Sequence, residues 1–181
     1  MFSADQAEAE RRHAWRQLLE RRSGDAGGLK DLWKRLPERY RRETSVAAAA
    51  AAAFNVLGLG DEAVAIIESS LDADWESGLV TLYGECGSAN ALRQIERAER
   101  WLREHRKDGA LLLTLGRLCA RQQLWGKAQS YLEASVAVEP TYSAHLELAQ
   151  LHDRLERVDD ARKHYRASLE LAVGQIKRAS G

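Results

Sequence analysis

The side chains best suited to chemistry in this chain are its five histidines, two cysteines and a few arginines. His145 and His152 stand seven residues apart, so on a helix they share a face, and His164 falls on the helix that would pair with it. Imidazole is the commonest metal ligand, but neither Cys86 nor Cys119 lies in a C-x-x-C, and no Cys–His cluster has zinc spacing. His13 and His105 stand alone. Nothing in the chain reads as a nucleophile elbow, a phosphate loop or an H-E-x-x-H pair. The adjacent Asp159 and Asp160 open a helix, where the dipole favours carboxylates, and need no catalytic role. Arg117, Arg121 and Arg154 are the remaining group with directed chemistry, since each guanidinium can meet a carboxylate or an acidic peptide bidentately. The reading is therefore of no catalytic residues, no metal ligands and a binding role.

The elements that must position these residues are helices. Ala, Leu, Glu and Arg dominate, prolines number two, and runs of strand-forming residues are absent. A unit runs from Gly109 to Pro140: Leu112, Leu115 and Gly116, then Ala128, Leu132, Ser135 and Pro140. It returns 33 residues later as Leu148, Ala149, Ala161, Tyr165 and Ser168. An earlier copy occupies Thr44–Asp74, with Ala51, Phe54, Ala63, Ile67 and Ser70. A degraded copy spans Glu76–Asp108, its first helix short and its second carrying Leu92, Ile95, Ala98 and Leu102 at three- and four-residue spacing. These small-then-large positions match the tetratricopeptide (TPR) pattern, a helix–turn–helix hairpin of about 34 residues. Small residues let paired helices approach, and Leu115, Leu132, Leu148 and Tyr165 fill the space between layers.

The fold expected is all-α, a right-handed α-solenoid of antiparallel helix hairpins with about nine or ten helices. Residues 1–43 hold N-terminal helices capping the stack: one over Asp5–Arg22, a turn at Ser23–Gly28, and a short one over Leu29–Leu36 closed by Pro37. Pro37–Arg42 reads as a basic connector. Repeats follow at about 44–75, 76–108, 109–141 and 142–173, and residues 174–181 form a frayed tail. Asp61, Ser88 and Thr141 are expected helix caps. In this register Asn55, Leu113, Arg117, Arg121, Leu146, Gln150 and Arg154 face the groove lined by the first helix of each hairpin. Ala48 and Ala52 stand where chaperone-docking repeats carry a Lys/Asn carboxylate clamp, so that clamp is absent. The five tryptophans are assigned mostly to packing between helices, with Trp125 at a hairpin turn.

Net charge is zero, which excludes a global basic signature for nucleic acid. The zero conceals segregation: residues 43–92 carry acids and no Lys or Arg, whereas 1–42 and 93–130 are net basic. An acidic layer of this kind could steer a basic partner or a second copy, so a homo-oligomer is one expectation. The longest apolar run, Val46–Phe54, falls far short of the roughly 20 residues a bilayer requires. No secretory pattern opens the chain. The expectation is of a soluble chain in a reduced compartment.

The run Leu111–Pro140, LLLTLGRLCARQQLWGKAQSYLEASVAVEP, resembles the C-terminal TPR region of the HemY family, bacterial proteins associated with haem biosynthesis. LKDLWKRLPERYRRE at Leu29–Glu43, LVTLYGE at Leu79–Glu85 and QIERAERWLREH at Gln94–His105 resemble it in the same order, so the likeness covers Leu29–Val173. The resemblance implies a non-catalytic scaffold for protein partners, haem-biosynthesis enzymes among them. It implies the bacterial inner membrane, the repeats on its cytoplasmic side, reached through N-terminal anchor helices that this chain lacks. It implies no catalytic residue. It also makes haem or porphyrin carriage one alternative, with each of His13, His105, His145, His152 and His164 a candidate axial ligand and none singled out by the sequence. Cys86 and Cys119 precede Gly and Ala, not the Pro of a haem-regulatory pair. His152 occupies the layer position of Phe54 and Cys119, which favours packing. The other alternative is a general TPR adaptor in envelope assembly with no tie to haem.

Overall fold

The computed structural model describes residues 4–179. Its backbone is helical hairpins throughout, grouped into two compact units, Met1–Asn90 and Ala91–Gly181.

The first unit is built on α4 (Thr44–Val56) and α5 (Gly60–Ala73), which pack as a hairpin. The alanine run of α4 presents almost no side-chain bulk, so other helices can approach it closely. α1 (Ala4–Arg21), α2 (Ala26–Arg35) and the single turn α3 (Glu38–Arg41) all pack on it. They bury Leu19, Leu29, Leu36 and Tyr40. α6 (Ser77–Glu85) closes the unit against α4 and α5. The second unit opens with α7 (Ala91–Glu104) and continues as two regular hairpins, α8 (Gly109–Arg121) with α9 (Trp125–Val138), and α10 (Tyr142–Arg154) with α11 (Val158–Ala179). α10 also packs on α9 and α8, which joins the hairpins in one stack.

The repeat positions behave as their spacing requires. Ala51, Ala63, Ala128, Ala149 and Ala161 are buried, as are Leu115, Leu132 and Leu148. At Gly116 an added Cβ would lie 2.5 Å from Leu132 Cδ2, so glycine sets the approach of α8 and α9. Two side-chain bonds recur with the repeat: Ser135 Oγ donates to the Gly109 carbonyl at 2.9 Å, and Ser168 Oγ to the Tyr142 carbonyl at 2.8 Å. The chain leaves α4, α8 and α10 through one left-handed residue each, Gly58, Gln123 and Glu156 in turn.

Several boundaries differ from the sequence expectation. Eleven helices stand among the described residues, because the basic connector contains α3. α2 begins at Ala26, inside the expected turn, because Asp25 accepts from the Gly28 amide and caps it. Asp61 does not cap α5; it sits in that helix's first turn and accepts from Ser88 Oγ and the Ala89 amide. Thr141 caps α10 through the Ala144 amide. Residues 174–179 continue α11 as helix where a frayed tail was expected, and residues 180–181 lie outside the described residues. On α7 the buried face is Gln94, Ile95, Ala98 and Trp101, and Leu92 is exposed. Tyr165 is 39% exposed where its counterpart Leu132 is wholly buried.

Candidate functional site

Of the residues assigned to the groove, Arg117 and Arg121 lie on α8, and Gln150 and Arg154 on α10. Arg117 Nε donates to Glu147 Oε1 at 2.7 Å, with both side chains about a quarter exposed, at 23% and 24%. This pair ties α8 to α10 and neutralises the charge that Arg117 would offer a ligand. Glu147 was not singled out in the sequence; its signal was a position three residues ahead of Gln150, on the neighbouring first helix. Arg121, Gln150 and Arg154 are exposed. Beneath them Leu113 is buried and Leu146 half-buried. The surface is thus a polar, partly cationic strip on an apolar base. Asn55 plays a different part. It belongs to the first unit, where its amide contacts the Glu85 carbonyl at 3.5 Å and accepts from the Gly87 amide at 3.3 Å, holding the turn after α6.

The three histidines do come together between α10 and α11. His145 Nδ1 and His164 Nδ1 are 2.9 Å apart and share one hydrogen bond, and His152 stacks on His164 with ring centroids 5.5 Å apart. Burial holds His145 and His164 below the ordinary imidazole range, and for His164 the neighbouring imidazoles add to the effect. His152 is buried at the layer position, its Nδ1 without a hydrogen-bond partner. No group of three or more His, Cys, Asp or Glu side chains is placed to hold a metal ion among the described residues. Both thiols are buried. Burial pushes Cys119 up to about 11, so it stays a packed thiol at neutral pH.

Most tryptophans are less enclosed than packing residues. Trp101 is buried, whereas Trp15, Trp33, Trp75 and Trp125 are half-buried. Trp33 lines a cavity of about 560 Å³ in the first unit, with Lys30 and Lys34 of α2, Glu38 and Arg41 of α3, Phe54 of α4 and Ile66 of α5. The site is not apparent from spacing because its cations are split between the short helix, which holds Lys30 and Lys34, and the connector after Pro37, which holds Arg41 and Arg42. The cue present was a bulky aromatic among closely spaced basic residues, Trp33-Lys34-Arg35 and Arg39–Arg42.

No family model matches the chain, and no curated protein matches it. Solved structures do resemble it. TTC0263, described as a thermophilic TPR protein in Thermus thermophilus, aligns with a TM-score of 0.62 at 18% identity, over 91% of this chain and 97% of that one. A crystal structure of MamA aligns with a TM-score of 0.60 at 15% identity, over 87% and 95%. MamA residues 41 to the end from Desulfovibrio magneticus RS-1 align with a TM-score of 0.55 at 14% identity, over 91% and 96%. At such identities the likeness is one of fold: the chain is an all-α protein of TPR-type hairpins.

Proposed function

We propose that this chain is a non-catalytic scaffold that holds a protein partner on the first-helix faces of α8 and α10. The observation carrying this is the exposed strip of Arg121, Gln150 and Arg154, set on buried Leu113 and half-buried Leu146 and braced by the Arg117–Glu147 pair. The helices that carry this face are already folded, so binding orders only its side chains. A TPR-type fold supports the reading, because single hairpins stack into extended surfaces used for recognition. The resemblance of Leu29–Val173 to the HemY family supports a narrower version, in which the partners are enzymes of protohaem synthesis at a bacterial inner membrane. No helix among the described residues is long and apolar enough to cross a membrane. In the narrower version attachment therefore needs another segment or partner.

Affinity capture from detergent-solubilised bacterial membranes tests both levels. The chain and its Gln150→Ala/Arg154→Glu variant are compared, since both positions are exposed and their replacement spares the packing. Capture of haem-pathway enzymes by the parent and not by the variant supports the whole reading. Other proteins lost from the variant keep the scaffold and remove the haem link. Equal recovery by both chains removes this face.

A further inference from the structure

We propose that the cavity between α2, α3 and α5 of the first unit binds an acidic segment of a partner protein, one bulky apolar side chain entering over Trp33, Phe54 and Ile66 and flanking carboxylates meeting Lys34 and Arg41. This rests on the reading of the chain as a protein-binding scaffold, and adds to it the partner's chemistry and a second contact site.

The cavity's own composition selects that ligand. Its volume, about 560 Å³, is that of a side-chain or small-ligand pocket. Its floor is apolar: Phe54 and Ile66 are buried beneath it and Trp33 is half-buried at its side. Its wall carries four cations, Lys30, Lys34, Arg41 and Arg42, against two carboxylates, Glu38 and Glu62. The two carboxylates are already engaged. Glu62 binds Lys30 at 2.7 Å, and Glu38 binds Arg42. Lys34 and Arg41 are left without an ion pair among the described residues. Arg41 Nε is in addition buried with no hydrogen-bond partner. A buried donor in that state favours a ligand that brings an acceptor, as a carboxylate does.

The apolar floor argues against a bare inorganic anion, which would leave Phe54 and Ile66 uncovered. The unpaired cations argue against a purely apolar ligand, whose entry would strip water from them. An acidic peptide with one large anchor answers both. It also fits the local charge pattern, since α1–α3 bring net basic sequence over a pocket whose own acids are neutralised.

The test is a fluorescence anisotropy titration of the full chain. The probe is a fluorescein-labelled peptide of one phenylalanine flanked by glutamates; controls replace the glutamates by lysines, or the phenylalanine by alanine. The acidic peptide should bind, binding should weaken with salt, and both controls should bind at least about tenfold more weakly. Lys34→Gln and Arg41→Gln should each weaken the acidic peptide by about tenfold, as expected for loss of one charge-assisted contact. Lys34 is exposed, so its variant keeps the fold; thermal melts by circular dichroism check Arg41→Gln. Equal binding of the lysine control, or no change in either variant, overturns the proposal. Binding of free phenylpropionate as tight as that of the peptide overturns the choice of a protein segment. These outcomes are independent of Gln150 and Arg154, so failure here leaves membrane capture intact, and failure there leaves this titration unaffected.

Discussion

The two units use one hairpin template and reach different ends. In the second unit the α8–α9 and α10–α11 hairpins keep the 33-residue register, down to the Ser135 and Ser168 bonds and the left-handed residues Gln123 and Glu156. Large and small side chains alternate there, the α8–α9 layer closes over Leu115 and Leu132, and the first-helix face carries a polar strip, while α11 leaves Tyr165, Leu169 and Ile176 exposed. In the first unit α4 is nearly all alanine, and three helices of unequal length cover it. They bury their leucines but do not tile the hairpin, and a cavity with unpaired cations remains beside Trp33. Regular repeats make a surface; an irregular cap on a thin helix makes a pocket.

The contrast breaks most visibly if the second unit's layers are opened. Leu132 is wholly buried between α8 and α9, so Leu132→Ala should cost about 2–5 kcal/mol in urea unfolding. The same replacement at its half-exposed counterpart, Tyr165→Ala, should cost about 1–2 kcal/mol. Equal losses would mean the two hairpins are closed alike. Glycine contacts sharpen the contrast at a lower magnitude. A methyl at Gly60 would overlap the Gly87 carbonyl oxygen, a backbone atom, whereas one at Gly116 would press on the Leu132 side chain. Gly60→Ala should therefore cost about 2–3 kcal/mol and Gly116→Ala about 1–2 kcal/mol.

Smaller again are the hairpin turns. Gly58→Ala, at φ +72, should destabilise by about 1 kcal/mol. Gln123→Gly, at φ +59, should leave stability unchanged or raise it by less than about 1 kcal/mol. The smallest effect is pH-dependent. His145 and His164 are held below the ordinary range, so the unfolded chain takes up protons first as pH falls. The stability of their neutral pair is fully present above the unfolded imidazole value and declines as pH drops below about 6.5. Thermal melts between about pH 7.5 and about pH 5 should show that decline, and His164→Gln should flatten it.

How much of this was legible follows the same division. Burial at Gly116, Leu115, Ala128, Leu132 and Leu148 could be read from spacing, because a repeat states its register more than once. Tyr165 misled because the pattern names a packing position without saying what covers it. Asn55, placed toward the groove by register, also serves a local turn by holding the Gly87 amide, which no repeat pattern states. Arg117 was placed on its face, but its engagement with Glu147 depends on α8 and α10 lying side by side. The Trp33 cavity was not legible. It arises from how α2 and α3 meet α5, and no periodicity describes a fit between non-repeating helices.

The scaffold role stands on a partner protein lying against α10. Site-specific photocrosslinking in cells tests this most directly, with a benzophenone side chain placed at Gln150 and, separately, at Arg162 on α11, both exposed. A partner on this face gives a discrete protein adduct from Gln150 that is absent from Arg162. Adducts of equal yield from both positions, or none from Gln150, would contradict it.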